Sequence, residues 1–252
     1  MDLEALFLPP YLQSLGYSER SELRELSKRA IKFDGDVMHS DRVWNRWRGI
    51  LEYTCCVEYA RHSIRAIPTG RAIGSSDVVP AQYHSASLVF FAQATLDNVA
   101  VWVADSLNLT VKGSDCAFHK SKFNQAISDA VPNLAMTVAK HSDFIIKLEA
   151  YRQEWIHRLS GGARIYSDKP PSDPTALPQI MVPVNPAMPS FAGDPKAYAR
   201  SVDRTRTNNG GRWLYPLVEF ADEMADSLRD CLCSFVAAAL IEAKFPPCDW
   251  QA

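Results

Sequence analysis

The sequence has no long apolar run. Its longest one, Phe235 to Ile241, is far shorter than the roughly 20 residues that a membrane-spanning helix needs. The start, MDLEALFLPP, is acidic and lacks the basic region and apolar core of a signal peptide. We therefore expect a soluble, cytoplasmic protein without a membrane partner.

Patterns for metal and phosphate binding are also missing. The histidines form neither an HxxxH nor an HExxH pattern, and no glycine-rich phosphate loop is present. No cysteine pair has zinc-finger spacing followed by a paired histidine. We therefore expect no metal, no cofactor and six reduced structural thiols, which are Cys55, Cys56, Cys116, Cys231, Cys233 and Cys248.

A strong net charge is absent as well. The formal charge of −2 argues against a protein that coats nucleic acid by bulk charge, so any RNA contact must come from a local basic patch. The most basic stretch is Lys196 to Arg212, with five basic residues against Asp203. It is either a solvated loop or an RNA-binding segment, and its candidate RNA-binding residues are Arg200, Arg204, Arg206 and Arg212.

Apolar residues at helical spacing are abundant. They predict N-terminal helices within residues 1–70, one after Ser18 and one from Arg42 to Ile64, with a loop at 68–77. An apolar central helix follows from Ala81 to Leu107, then a shorter helix ends near Asp129. The last helix starts near Pro216, and its acidic face is either solvent-exposed or bound by a basic partner.

Residues 163–211 differ from the rest because they are rich in proline and lack a helical period. Within them, Gln179 to Pro186 favours an extended segment or an edge strand, since its prolines do not fit a central strand. The predicted fold is an all-α bundle of about five long helices in one domain over residues 1–252, with this irregular insert before the last helix. We expect at most a short strand pair in the insert.

The stretch from Pro132 to Leu159 predicts one long helix with a single buried stripe. Arg152 is anomalous in that stripe, because a buried guanidinium needs a carboxylate or an anionic ligand. Asp97 in the central helix could provide the carboxylate, or it could bond a nearby hydroxyl or backbone group. His157 falls on a flank between core and solvent, above Gln153. The opposite flank, with Lys147, Glu154 and Arg158, is expected to be exposed.

The motif Arg152, Gln153, Glu154, Trp155, Ile156, His157 resembles that of the HEPN superfamily, which consists of all-helical domains. That motif is an arginine, usually Asn, Asp or His, three further residues and a histidine. The resemblance extends over residues 81–245, through the upstream helix ATLDNVAVWVADSL, the proline-rich insert and the last amphipathic helix. Gln153 departs from the pattern, since its amide is one methylene longer than that of Asn.

The resemblance implies a metal-independent endoribonuclease. Arg152 would bind the scissile phosphate, His157 would transfer the proton, and Gln153 would orient the ring or contact the phosphate. It also implies a homodimer in which both motifs face one cleft, with a cognate antitoxin or regulatory protein, in a toxin–antitoxin or phage-defence setting. Two alternatives stay open. One is a non-catalytic RNA-binding, nucleotide-binding or regulatory module of the same fold, and the other is an unrelated helical scaffold.

Overall fold

Six helices and three strands occur in the residues that the computed structural model describes, which are 41–153, 155, 163–167, 169–170, 172–184 and 213–242. The helices are α1 (Asp41–Arg65), α2 (Ser75–Ser106), α3 (Ser121–Ala130), α4 (Pro132–Lys140), α5 (Ser142–Arg152) and α6 (Leu217–Glu242). The strands are β1 (Arg164–Tyr166), β2 (Gln179–Val184) and β3 (Trp213–Pro216). The predicted helical class is therefore confirmed, while the predicted helix after Ser18 lies outside the described residues.

Helix α2 is the apolar central helix expected from the sequence, but it begins earlier than predicted. Its first residue is Ser75, so part of the expected loop is helical. The Gly74 N–H donates to Asp77 Oδ2 at 2.8 Å, which satisfies one of the amide groups that the start of a helix leaves without a partner. Among the described helices, α2 alone is long and apolar enough by length and composition to cross a bilayer. Of its most apolar window, 56% is buried within the protein, and a core helix passes the same test.

The predicted long helix from Pro132 is two helices. Pro132 opens α4 as expected, but α4 ends at Lys140 and α5 begins at Ser142. Between them His141 has φ −102° and ψ 9°, and its N–H donates to Val138 O at 3.1 Å in a tightened turn. Beyond Arg152, at Gln153 and Trp155, the helical winding widens to the π type. His157, predicted on a flank of this helix, lies outside the described residues.

The proline-rich insert contributes to a three-stranded antiparallel sheet in the order β1-β2-β3. Within the described residues of the insert, β1 and β2 form the short strand pair that was expected, and β3 follows the insert. One expectation is corrected, because β2 is central in the sheet rather than at an edge. The register explains how a central strand tolerates Pro183. Strand β1 pairs only as far as Met181, so at Pro183 the described sheet has β3 on one side and no strand on the other.

The chain forms two compact units that interleave in sequence. Of the described residues, unit 1 contains 41–55, 92–145 and 228–242, and unit 2 contains 56–91 and those between 146 and 227. In unit 1 the ring of Phe118 packs on those of Phe123 and Phe235 at centroid distances of 5.5 and 4.5 Å. In unit 2 Phe220 of α6 is fully buried. The predicted single domain, with its bundle over 81–245, stays a prediction.

Candidate functional site

Arg152 lies at the end of α5 and pairs with a carboxylate of its own helix. Its Nη1 donates to Glu149 Oε1 at 3.2 Å and to Oε2 at 3.1 Å. The side chain of Arg152 is 32% exposed and that of Glu149 is 17% exposed. Arg152 is thus partly accessible to solvent rather than enclosed in an apolar seam, and its pairing depends on a residue one turn earlier.

Glu149 also holds the second residue of the motif. Gln153 Nε2 donates to Glu149 Oε1 at 2.7 Å, so one carboxylate accepts hydrogen bonds from two consecutive motif side chains. Sequence reasoning missed Glu149. Its spacing of three residues from Arg152 and four from Gln153 is the signal that would have identified it, since such residues are neighbours on a helix surface.

The hydrogen bonds of Arg152 within the described part of the chain use only Nη1. A guanidinium has five N–H donors, so those of Nε and Nη2 remain for an additional acceptor. These donors form a planar fork that matches two oxygens of a phosphate or a carboxylate. Arg152 can therefore bind an anion without giving up its contact with Glu149.

Asp97 accepts a hydrogen bond within α2. Gln93 Nε2 donates to Asp97 Oδ1 at 2.8 Å, and Gln93 is 4% exposed. The carboxylate that the structure shows at Arg152 is Glu149 of its own helix, and the expected pairing of Asp97 with Arg152 stays a prediction.

Aromatic packing fixes the turn that carries Arg152 and Gln153. Tyr151 and Trp155 flank the two residues and are 3% and 5% exposed. Trp155 stacks on Phe220 of α6 at 5.3 Å, and Tyr151 meets the same ring edge-on at 5.4 Å. Burial of such large rings stabilises a structure by several kcal/mol in total. The turn is therefore anchored by packing within unit 2.

The remaining residues assigned to the site lie outside the described part of the chain. These are His157, the proposed proton-transfer residue, and the proposed RNA-binding residues Arg200, Arg204, Arg206 and Arg212. The structure thus brings Arg152 and Gln153 together on Glu149, and the other assignments keep the status of sequence predictions.

Lys147, expected on an exposed flank, is 5% exposed in unit 2. Its ammonium lies close enough to Glu223 of α6 to lower the pKa of that carboxyl, but burial has the larger effect and the pKa of Glu223 is raised overall. Glu223 Oε1 also accepts a hydrogen bond from the Tyr215 hydroxyl. Burial and this bond to Glu223 together raise the pKa of Tyr215 well above its ordinary value. The phenol is therefore a hydrogen-bond donor rather than a base.

The acidic face of α6 is bound by two arginines of α1. Asp222 Oδ1 accepts from Arg61 Nε at 2.8 Å and from Arg65 Nε at 2.9 Å, while its Oδ2 accepts from Arg65 Nη2 at 2.9 Å. Burial raises the pKa of Asp222, but the hydrogen bonds from Arg65 and Arg61 outweigh burial and hold it below its ordinary value. The acidic face was expected either to be exposed to solvent or to bind a basic partner. At Asp222 it binds a basic partner, which is a pair of arginines from the same chain.

Within the described residues, no group of three or more His, Cys, Asp or Glu side chains is placed to hold a metal ion. No disulfide joins the cysteines of the described residues, which are Cys55, Cys56, Cys116, Cys231 and Cys233. Burial raises the pKa of Cys231 well above its ordinary value, which disfavours the reactive thiolate at neutral pH.

Comparison with protein-family models, with curated proteins and with solved structures finds no match to this chain.

Proposed function

We propose that the chain is a metal-independent endoribonuclease of the HEPN type, in which Arg152 binds the scissile phosphate and His157 transfers the proton. The observation that carries the proposal is the hydrogen bonding of Arg152. Its Nη1 is held by both oxygens of Glu149, while Nε and Nη2 have no partner among the described residues. A guanidinium fixed at one end and open at the other is preorganised for a phosphate.

The reaction needs a base, an acid and a stabiliser of negative charge. His157 as base takes the proton of the 2′-hydroxyl, whose oxygen attacks the adjacent phosphorus and displaces the 5′-oxygen of the next nucleotide. The leaving oxygen takes a proton from an acid, which in this proposal is the His157 of a second copy. Histidine suits both steps because its ordinary pKa of about 6.5 leaves both forms populated near neutrality.

Glu149 has two opposing effects on this chemistry. It orients Arg152 and Gln153, but its negative charge also offsets the positive charge that RNA would meet at the site. Affinity for RNA must therefore come largely from other basic residues, and the stretch from Lys196 to Arg212 is the candidate that the sequence offers. In this proposal Glu149 positions the catalytic arginine and does not contribute binding energy.

The test is cleavage of an end-labelled RNA by the purified protein, with and without chelator. Wild type should yield fragments ending in 2′,3′-cyclic phosphate, and chelator should not change the rate. His157→Ala and Arg152→Ala should each abolish cleavage. The matched controls are His119→Ala, at an exposed histidine, and Arg164→Ala, at a half-buried arginine of β1. Both controls should cleave at the wild-type rate.

Two outcomes would overturn the proposal. Cleavage that persists in His157→Ala would remove the assigned site, and inhibition by chelator would remove the metal-independent mechanism. RNA binding without any cleavage by the wild type would support the non-catalytic binding or regulatory module in its place.

A further inference from the structure

Unit 2 contains a cleft of about 430 Å³ at the junction of the sheet with two helices. Its walls come from the end of α1 and the loop after it, from the start of β2, and from the point where β3 becomes α6. Most lining side chains are apolar, among them Ile64, Leu177 and Leu217. Leu177 is 62% exposed, so its side chain is accessible to a ligand in the cleft. The volume lies within the range of ligand sites in proteins.

Within the described part of the chain, the cleft also contains a sheet edge that no strand covers. Pairing of β2 with β3 ends at Met181 opposite Pro216, because the chain turns into α6 at Leu217. Gln179 and Ile180 continue β2 into the cleft and pair with β1 on one side only. Backbone groups alternate between the two sides of a strand, so one of these two residues directs its N–H and C=O towards the side that β3 leaves open. An extended peptide can pair there as an added strand.

Among the described residues that line the cleft, Glu219 in the first turn of α6 is the one that carries a charge. Glu219 is exposed, and the described part of the chain gives it neither a hydrogen bond nor an ion pair. The nearby arginines Arg61 and Arg65 are already bound to Asp222. Burial raises the pKa of Glu223, and the negative charge of Glu219 adds to that increase.

We propose that this cleft binds an extended segment of a partner protein that carries apolar side chains and at least one basic residue. The segment pairs through its backbone with the open edge at Gln179 and Ile180. Its apolar side chains cover Leu177, and its basic side chain meets Glu219. A nucleic acid does not fit this site, because the described lining is mostly apolar and its charged member, Glu219, is negative. The inference does not depend on the ribonuclease proposal, since it involves none of the residues assigned to cleavage.

The experiment measures fluorescence anisotropy of a labelled, acetylated peptide, Val-Arg-Val-Arg-Val, titrated with the full chain. Leu177→Ser removes an exposed apolar side chain and should weaken binding by roughly tenfold. Glu219→Lys should weaken it by roughly fivefold or more and should favour the peptide Val-Glu-Val-Glu-Val. The matched controls are Met136→Ser, at a methionine that is 65% exposed, and Asp143→Lys, at an exposed acid in the first turn of α5. Both should bind like the wild type.

A peptide of the same sequence with N-methylated valines tests the strand pairing, because it lacks the required N–H groups. It should bind at least tenfold more weakly. Equal binding of the methylated peptide would overturn strand addition at the β2 edge. Absence of binding to the wild type, or unchanged binding by both Leu177→Ser and Glu219→Lys, would overturn the site itself. All four substitutions are at exposed positions, so the variants are expected to fold.

Discussion

At the scale of single residues, the sequence predicted that Arg152 needs a charged partner but did not identify that partner. The physical argument that Arg152 needs a carboxylate was sound, and the structure supplies one. The i, i+3 spacing of Glu149 could have identified it, but the prediction placed the guanidinium in a buried seam and therefore looked for a partner on another helix. The burial of a side chain is set by tertiary packing. A helical projection shows only which face of a regular helix is buried, not how deeply each residue on that face is buried.

The first prediction concerns Glu149 as a positioning residue. Glu149→Gln keeps the size of the side chain but removes the charge that holds Arg152 Nη1. We expect kcat for RNA cleavage to fall about tenfold, because loss of orientation is felt in the transition state. The Kd for RNA should stay unchanged or decrease, because a negative charge has been removed. Single-turnover cleavage and RNA binding, measured separately, provide this comparison.

Glu219→Gln is the control for Glu149→Gln, since it removes an exposed carboxylate that makes no contact with Arg152. A higher KM with an unchanged kcat in Glu149→Gln would show that Glu149 contributes to binding rather than to positioning.

The second prediction concerns Asp222 and acid. Its pKa lies below the ordinary value of 3.8 in the folded protein, so the unfolded chain binds a proton more readily. The stability that Asp222 contributes is therefore complete above about pH 4 and is lost as the pH falls through its lower folded pKa. Asp222→Asn should lower the free energy of unfolding at pH 7 by about 2 kcal/mol, because both arginines lose a charged acceptor.

Urea unfolding at a series of pH values checks this prediction. Below pH 4 the difference between wild type and Asp222→Asn should shrink. Asp143→Asn, an exposed acid of a helical first turn with no described hydrogen bond, should match the wild type at pH 7. A constant difference between wild type and Asp222→Asn at every pH would contradict the role of the Asp222 charge.

At the scale of helices and strands, the sequence predicted the elements whose signals are local. Helical spacing located α1, α3 and α6, since their apolar residues recur at helical period over many residues. The break at His141 was not predicted, because Leu134, Val138, Ile145 and Leu148 keep a helical period across it and all four are buried. The central position of β2 was also missed. It depends on strands from distant parts of the chain, and no local pattern shows where β1 ends.

The third prediction tests the link between β3 and α6, which is the hydrogen bond from Tyr215 to Glu223. Tyr215→Phe should lower the free energy of unfolding by about 1 to 2 kcal/mol, because Glu223 loses its donor in a half-buried position. In a Glu223→Ala background the same change should have little effect. A double-mutant cycle by urea unfolding measures the coupling.

Tyr166→Phe in β1 is the control for the hydroxyl, since no hydrogen bond of Tyr166 occurs among the described contacts. A coupling energy near zero between Tyr215 and Glu223 would mean that the bond adds nothing to the junction of β3 with α6.

At the scale of the whole molecule, the composition was sufficient to predict the helical class but not the division of the chain into two compact units. The two compact units interleave in sequence, so their boundaries fall within α1, α2, α5 and α6 rather than in linkers. Proline and glycine mark linkers, but they carry no information on a boundary inside a helix. The sequence also gave no indication of the cleft at β2, whose walls come from three separate stretches of the chain.

The last prediction concerns a second copy of the chain. The proposed mechanism needs two His157 residues in one cleft, one as base and one as acid, so the active species should be a dimer. Sedimentation should give a particle of twice the chain's 28.1 kDa at micromolar concentration. A monomer that still cleaves RNA would contradict the shared cleft.

Mixing experiments test the shared cleft directly. When wild type and His157→Ala exchange subunits at a fixed total concentration, only dimers with two intact histidines should cleave. Activity should then follow the square of the wild-type fraction. If each protomer worked alone, activity would follow that fraction linearly. His119→Ala in place of His157→Ala is the control, and activity in that series should not depend on the mixing ratio, because its exposed histidine is not part of the proposed site.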